Sequence, residues 1–185
     1  MKYLPGLPPT FPVTVLVDSR EKRPFSFEGI AADMQDGGLA DGSVELVVAS
    51  EIVCLGEGDY SLKGFHGPTP ETGGGVAVER KSKSDLWGTI AQGRERFERE
   101  LERLSAYKVA AVVCEADWEM MREAPPEHTE MKFKTVYRSI IGWKQKFPTV
   151  QWELCPGRRF AEIHCFRILQ MYYRKWLKEQ KEKAK

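Results

Sequence analysis

Glu79, Arg80 and Lys81 close the apolar run Val76-Ala77-Val78, and Glu79 lies twenty positions beyond Asp59 of Gly58-Asp59-Tyr60. Two carboxylates and an ammonium suit hydrolysis of a phosphodiester, which needs a cation on the phosphate oxygens and a polarised water aligned for attack. Mg²⁺ takes oxygen ligands and keeps several waters. One Asp and one Glu from neighbouring strands therefore suffice, with a backbone carbonyl and substrate phosphate completing the shell. Side chains alternate along a strand, so Glu79 and Lys81 share one face and Arg80 points to the other. Lys81 can then sit beside the metal, where it orients the attacking water or neutralises charge developing on the phosphate. A Glu-x-Lys triplet also arises by chance in a chain this charged. What gives it weight is its context: a strand-like run before it, a separate Gly-Asp-Tyr on another strand candidate, and a helical pattern after it.

The elements that must position these residues are strands near 13–18, 44–54, 59–63, 76–81, 108–114 and 149–154, with helical patterns between them. After Ser84, a plausible N-cap, the residues Leu86, Ile90, Phe97, Leu101 and Leu104 fit one helical stripe. The run from Arg94 to Glu100 has mixed signs and reads mostly as a solvated face with helical charge pairs. Further helices fit 131–146 and 159–180, while Glu115 to Glu130 reads as a short helix and loop.

Four separated segments, in order, carry a family resemblance. Val15-Leu16-Val17-Asp18-Ser19-Arg20-Glu21, Gly58-Asp59-Tyr60, the stretch from Val78 to Leu86 and Gly93-Arg94 resemble the XPF-family nuclease domain over about residues 13–115. The mark of that family is Gly-Asp followed at a distance by Glu-Arg-Lys-x-x-x-Asp. The resemblance implies an α/β, restriction-endonuclease-like fold, a central mixed sheet flanked by helices, and DNA cleavage with Mg²⁺ or Mn²⁺. Asp59 and Glu79 match its metal carboxylates, the Arg80 carbonyl would complete the shell, and Lys81 matches the catalytic lysine. Asp18 and Glu21 match the acids of the first motif. Arg20, Arg80 and Asp85 match supporting positions, where the arginines would hold phosphate and Asp85 would brace its neighbours. Gly93-Arg94 falls near the family's DNA path.

Two departures stand out. The Asp59-to-Glu79 separation is longer than the family's compact hairpin, and its excess, residues 64–75, holds five glycines and two prolines. It reads as an extended, mobile loop, either an inert insertion or a DNA contact. Nothing after residue 115 repeats a helix-hairpin-helix glycine motif, so the chain resembles short standalone bacterial or phage forms.

Composition agrees with one domain, because 185 residues at 42% hydrophobic can bury a single substantial core. We expect an N-terminal extension at 1–12, a nuclease domain at 13–180 with a basic helical part at 131–180, and a basic tail at 181–185. No signal peptide or membrane span is expected, and the setting is cytoplasmic or otherwise intracellular with DNA. Cysteines 54, 114, 155 and 165 lack zinc-site spacing, and Cys54 and Cys114 read as buried small hydrophobes. His66, His128 and His164 do not sit in a triad pattern, His164 reads as structural, and no glycine fingerprint for a nucleotide cofactor appears.

Net charge is +1 but unevenly spread: residues 1–131 hold 14 basic and 23 acidic side chains, residues 132–185 hold 14 and 4. This suggests a phosphate-facing C-terminal surface that includes Arg158 and Arg159, or else a solvated basic helix face. Tyr172, Tyr173 and Trp176 either dock that helix on the core or stack on bases.

The resulting expectation is an endonuclease for branched, flap or fork DNA in repair, recombination or phage DNA processing. A non-cleaving DNA-binding scaffold and a restriction or Holliday-junction nuclease are the alternatives, and a homodimer is slightly favoured.

Overall fold

The structure is a computed structural model that describes residues 8–33, 42–123, 125–127 and 129–185. His128 and most of the expected N-terminal extension lie outside the described residues. The elements run β1 (Val15–Asp18), β2 (Ser50–Val53), β3 (Tyr60–Leu62), β4 (Val76–Lys81), α1 (Lys83–Gln92), α2 (Arg94–Leu104), β5 (Val109–Cys114), α3 (Trp118–Glu123), α4 (Phe133–Lys146), β6 (Val150–Leu154) and α5 (Arg158–Lys183). The strands form one mixed sheet in the order β2-β1-β3-β4-β5-β6. β3 runs antiparallel to β1 and β4, and the remaining neighbours are parallel.

Period-two alternation splits the buried side chains into two cores. Val15, Val17, Tyr60, Val76, Val78, Ala111 and Val113 pack under α5, while Ala77, Ala110, Val112 and Cys114 pack under α1, α2 and α4. Central strands buried on both faces read as continuous apolar runs, which is why β4 and β5 are legible in the sequence. The expected stripe Leu86, Ile90, Phe97, Leu101 and Leu104 is buried throughout, but it belongs to two helices that meet at Gly93. The N-cap is Ser82 rather than Ser84: its hydroxyl accepts from the Asp85 amide, which lies three residues on, the reach a capping side chain needs.

The expected strand 44–54 is shorter than its apolar pattern. Only Ser50–Val53 pairs with β1, because Leu46 and Val47 donate their amides to Ile30 and Pro9 instead. Cys54, just past this edge strand, is exposed rather than buried, whereas Cys114, Cys155 and Cys165 are buried, and all four are unpaired thiols.

Residues 64–75 do not extend as a free loop. They fold into turns whose Thr72 and Gly73 carbonyls accept from the Tyr172 hydroxyl, while the Gly74 carbonyl accepts from the Lys108 amide. Phe65 completes the anchor by packing edge-on against Tyr172, Tyr173 and Trp176. The α5 aromatics Tyr172, Tyr173 and Trp176 thus dock on the chain's own core. Among the described residues no helix is long and apolar enough to cross a membrane.

Candidate active site

The site assembles where β3 and β4 stop pairing. Gly58 adopts φ +71°, and a Cβ there would stand 3.1 Å from the Val78 carbonyl oxygen. A glycine is what lets the chain approach β4 closely enough for the Asp59 amide to donate to that same oxygen, at 2.9 Å. Two residues further along β4, the Arg80 amide donates to Asp59 Oδ2 at 2.7 Å instead of to a strand neighbour. Within an extended residue the N–H and C=O face the same edge, so the Arg80 carbonyl also opens toward Asp59.

The alternation expected for the triplet holds. Lys81 Nζ donates to Glu79 Oε1 at 2.5 Å and lies 4.7 Å from the Phe97 ring centroid, on the α1/α2 side. Arg80 lies over Phe25 on the α5 side, 5.7 Å from that ring. Its guanidinium is nearly fully buried, with Nε donating to Glu115 at 2.8 Å and Nη1 to both Glu21 oxygens at 3.1 Å. The Arg80 side chain therefore bridges two carboxylates across the sheet.

Burial dominates the electrostatics. It lifts the Asp59 carboxyl to about 6, opposed by the Arg80 amide and the Lys81 charge and reinforced by the charges of Glu21 and Glu100. Glu79, 4% exposed, is pushed well above the ordinary carboxylate range by burial and by Asp59, against the pull of Lys81. Burial pushes Lys81 down, yet the charges of Glu79, Glu100 and Asp59 hold it above its usual value, so it remains an ammonium.

Asp59, Glu79, Arg80, Lys81 and Asp85 line one cleft of about 830 Å³ with Arg20 and Glu21. Asp18 stands behind it. Its carboxylate accepts from Arg20 Nε at 2.7 Å and Nη2 at 3.0 Å, and from the Arg20 and Leu55 amides. Burial would raise the Asp18 carboxyl, but these donors, Arg20 foremost, hold it below its usual value. Asp85 accepts from the Ser82 hydroxyl at 2.6 Å while its amide donates to that hydroxyl, closing the turn from β4 into α1.

Arg94 is placed apart, over the Trp143 ring at 5.0 Å. Arg158 and Arg159 turn much of their donor capacity inward. Arg158 binds Glu115 and the Arg23 and Pro24 carbonyls, and Arg159 binds Glu162 and the Gly29 carbonyl. Together with Arg167 and Arg174, which bind Ala31 and Asp33, they fasten the segment after β1 onto α5. Much of the C-terminal basic excess is thereby matched within the chain. His164 pairs with Glu153 at 3.2 Å and stacks on Phe160, a structural placement.

Glu100 is the residue that sequence reasoning missed. It lies on α2, and its charge raises the proton affinities of Glu79, Asp59 and Lys81. In the sequence it is one charge among seven consecutive residues, six of them charged. Its place three residues after the buried Phe97 is the only sign that it faces β4.

The donor set fits a hard divalent cation. Among the described residues no three His, Cys, Asp or Glu side chains form a metal cage. Asp59, Glu79 and the Arg80 carbonyl instead offer the sparse oxygen set that Mg²⁺ tolerates, because it retains waters and substrate phosphate oxygens.

No curated protein matches the chain. Among solved structures it is similar to XPF from Aeropyrum pernix, with 16% identity and a TM-score of 0.55 over 91% of this chain and 69% of that one. It is also similar to XPF from Aeropyrum pernix in complex with DNA, with 17% identity and a TM-score of 0.51 over 88% and 66%. At these identities the likeness shows a shared fold. The model of the ERCC4 domain matches residues 17–151, which span the β1 acid, the β3–β4 carboxylates, Lys81 and the helices over them. The chain belongs to the ERCC4 family of XPF-type nuclease domains.

Proposed function

We propose that this protein is a Mg²⁺-dependent DNA endonuclease, with Mn²⁺ able to substitute. The observation that carries the reading is the convergence of Asp59, Glu79 and Lys81 on one face of β3 and β4, inside a cleft whose rim carries Arg20, Lys22, Arg23 and Arg96. Asp59, Glu79 and the Arg80 carbonyl would hold a divalent cation, which would supply Lewis acidity and an activated water. The chain's own groups do the rest. Arg80 aims Asp59 through its amide, Lys81 keeps its charge and is placed to offset the phosphate's developing negative charge, and Asp18 fixes Arg20 on the rim.

Branched, flap or fork DNA is the proposed substrate, in repair, recombination or phage DNA processing. Family membership supports this choice, and the Aeropyrum pernix complex supports DNA as the polymer. Four unpaired thiols fit a reducing, intracellular setting. Incubating the protein with labelled flap, fork, four-way-junction and plain duplex DNA, each with Mg²⁺, Mn²⁺ or EDTA, tests the reading. Metal-dependent cutting with a preference for flap or fork supports it. Binding without cutting on every substrate would identify a scaffold, and symmetric resolution of the four-way junction would identify a resolvase.

A further inference from the structure

A second cleft, of about 520 Å³, runs between α2 and α4 and is lined by Arg94, Arg138, Ser139, Gly142 and Lys146, with the single carboxylate Glu98. That carboxylate is already matched: Glu98 accepts from Lys146 Nζ and from Trp143 Nε1 at 3.0 Å, and stands 3.7 Å from Arg94. It holds two cations over the groove. Arg94 is further set by its contacts with the Trp143 ring and the Ser139 hydroxyl.

The rest of α4 is one-sided in charge. It carries Lys134, Arg138, Lys144 and Lys146 and no acidic residue, whereas α2 mixes both signs. Lys134 and Arg138 are exposed and take part in no ion pair or hydrogen bond among the described residues. Gly142 adds an independent observation. A glycine inside a helix costs about 1 kcal/mol relative to alanine, yet a Cβ here would meet nothing within 4 Å, so packing does not require it. What it leaves is open space in the groove.

The two clefts adjoin. Gly93 lines the cleft that holds Asp59 and Glu79, and Arg94, the next residue, lines the α2–α4 groove. Resting on the nuclease reading of the first cleft, we infer that the α2–α4 groove binds the sugar-phosphate backbone of duplex DNA to one side of the cut. Arg138 and Lys146 stand roughly 12 Å apart along the helix axis at about 1.5 Å per residue. That spans about three phosphates of one strand at roughly 3.4 Å of axial rise each.

The test is DNA affinity of the full chain in EDTA, where no cutting occurs, measured by anisotropy on a labelled duplex between about 50 and about 200 mM salt. The variants are the double replacement Lys134→Glu with Arg138→Glu, and the charge-neutral Gly142→Tyr, which fills the groove; melting curves confirm that each is folded. The expected result is a Kd raised about 10-fold or more in the double variant, with the slope of log affinity against log salt reduced by about two. Weaker binding is also expected for Gly142→Tyr. Parent-like affinity and slope in both variants would overturn the proposal, as when the groove takes an acidic protein segment instead. A parent that cuts DNA while both variants bind normally would remove the groove and leave the nuclease reading. A parent that binds through the groove but never cuts would do the reverse.

Discussion

The Lys81 ammonium lies 2.5 Å from Glu79 Oε1, the two side chains sharing one face of β4, with Asp59 immediately before the neighbouring strand β3. Each charge keeps the other in place: Glu79 helps hold Lys81 charged, and Lys81 partly offsets the burial that pushes Glu79 toward its neutral form.

Lys81→Ala removes that partner and the cation placed for the phosphate. Single-turnover cleavage at saturating Mg²⁺ should fall by about 10²- to 10³-fold, the range for losing one preorganised electrostatic donor. Duplex binding in EDTA should survive. Cleavage at the parent rate would remove Lys81 from the chemistry.

Asp59 carries a stability cost that its replacement should relieve. With its carboxyl lifted to about 6 by burial and by Glu21 and Glu100, the folded protein holds this proton more tightly than the unfolded chain does. Its contribution is therefore favourable below about pH 4 and is lost as pH rises toward 6, so the metal-free protein bears the full penalty at neutral pH. Asp59→Asn keeps an acceptor for the Arg80 amide. In EDTA near pH 7 it should gain about 1 kcal/mol, or 2–4 °C in Tm, and the gain should vanish near pH 4. Adding Mg²⁺ should then stabilise the parent and leave the variant unmoved. A variant less stable than the parent in EDTA at neutral pH would contradict the assigned strain.

Arg80 shows how much of the site was legible in the sequence and where legibility stopped. Strand alternation alone separated it from Glu79 and Lys81, and the structure keeps that separation. Its partner Glu115 lies 35 residues away, and no local pattern could pair them. The same limit hid Glu100, whose position depends on how α2 crosses β4. It also made the 64–75 segment look free, since its anchor Tyr172 is about a hundred residues distant. Ser82, not Ser84, caps α1 because the helix begins at Lys83 and already contains Ser84, a two-residue difference in start that the apolar stripe beginning at Leu86 does not mark. Elements with clean periodicity, β4, β5 and the two parts of the α1/α2 stripe, were readable because both cores impose that periodicity on the sequence.

Because the Arg80 guanidinium is buried between Glu21 and Glu115, Arg80→Ala leaves two carboxylates without their shared cation. Glu115 keeps Arg158, so the cost falls on the buried Glu21 and should be about 3 kcal/mol, lowering Tm by roughly 10 °C. Thermal melting decides it. A drop of a degree or two would mean that the bridge is not structural and would return the side chain to a phosphate role.

Glu100 places a further negative charge beside Glu79, and its removal should weaken divalent binding. Calorimetric titration of the metal-free protein with Mn²⁺ should show affinity reduced on the order of 10-fold in Glu100→Gln, as for a residue acting through a metal ligand. An unchanged affinity would confine Glu100 to the surface charge pattern of α2.

The central claim is that Asp59 and Glu79 together hold the cation that cuts DNA. Its most direct test is Mn²⁺ titration combined with cleavage of a labelled flap or fork substrate by the parent, Asp59→Asn and Glu79→Gln. The account predicts that the parent binds Mn²⁺ and cuts, that EDTA abolishes cutting, and that each variant loses both metal binding and cleavage while still binding DNA. Cleavage that persists in either variant, or that needs no divalent cation, would contradict it.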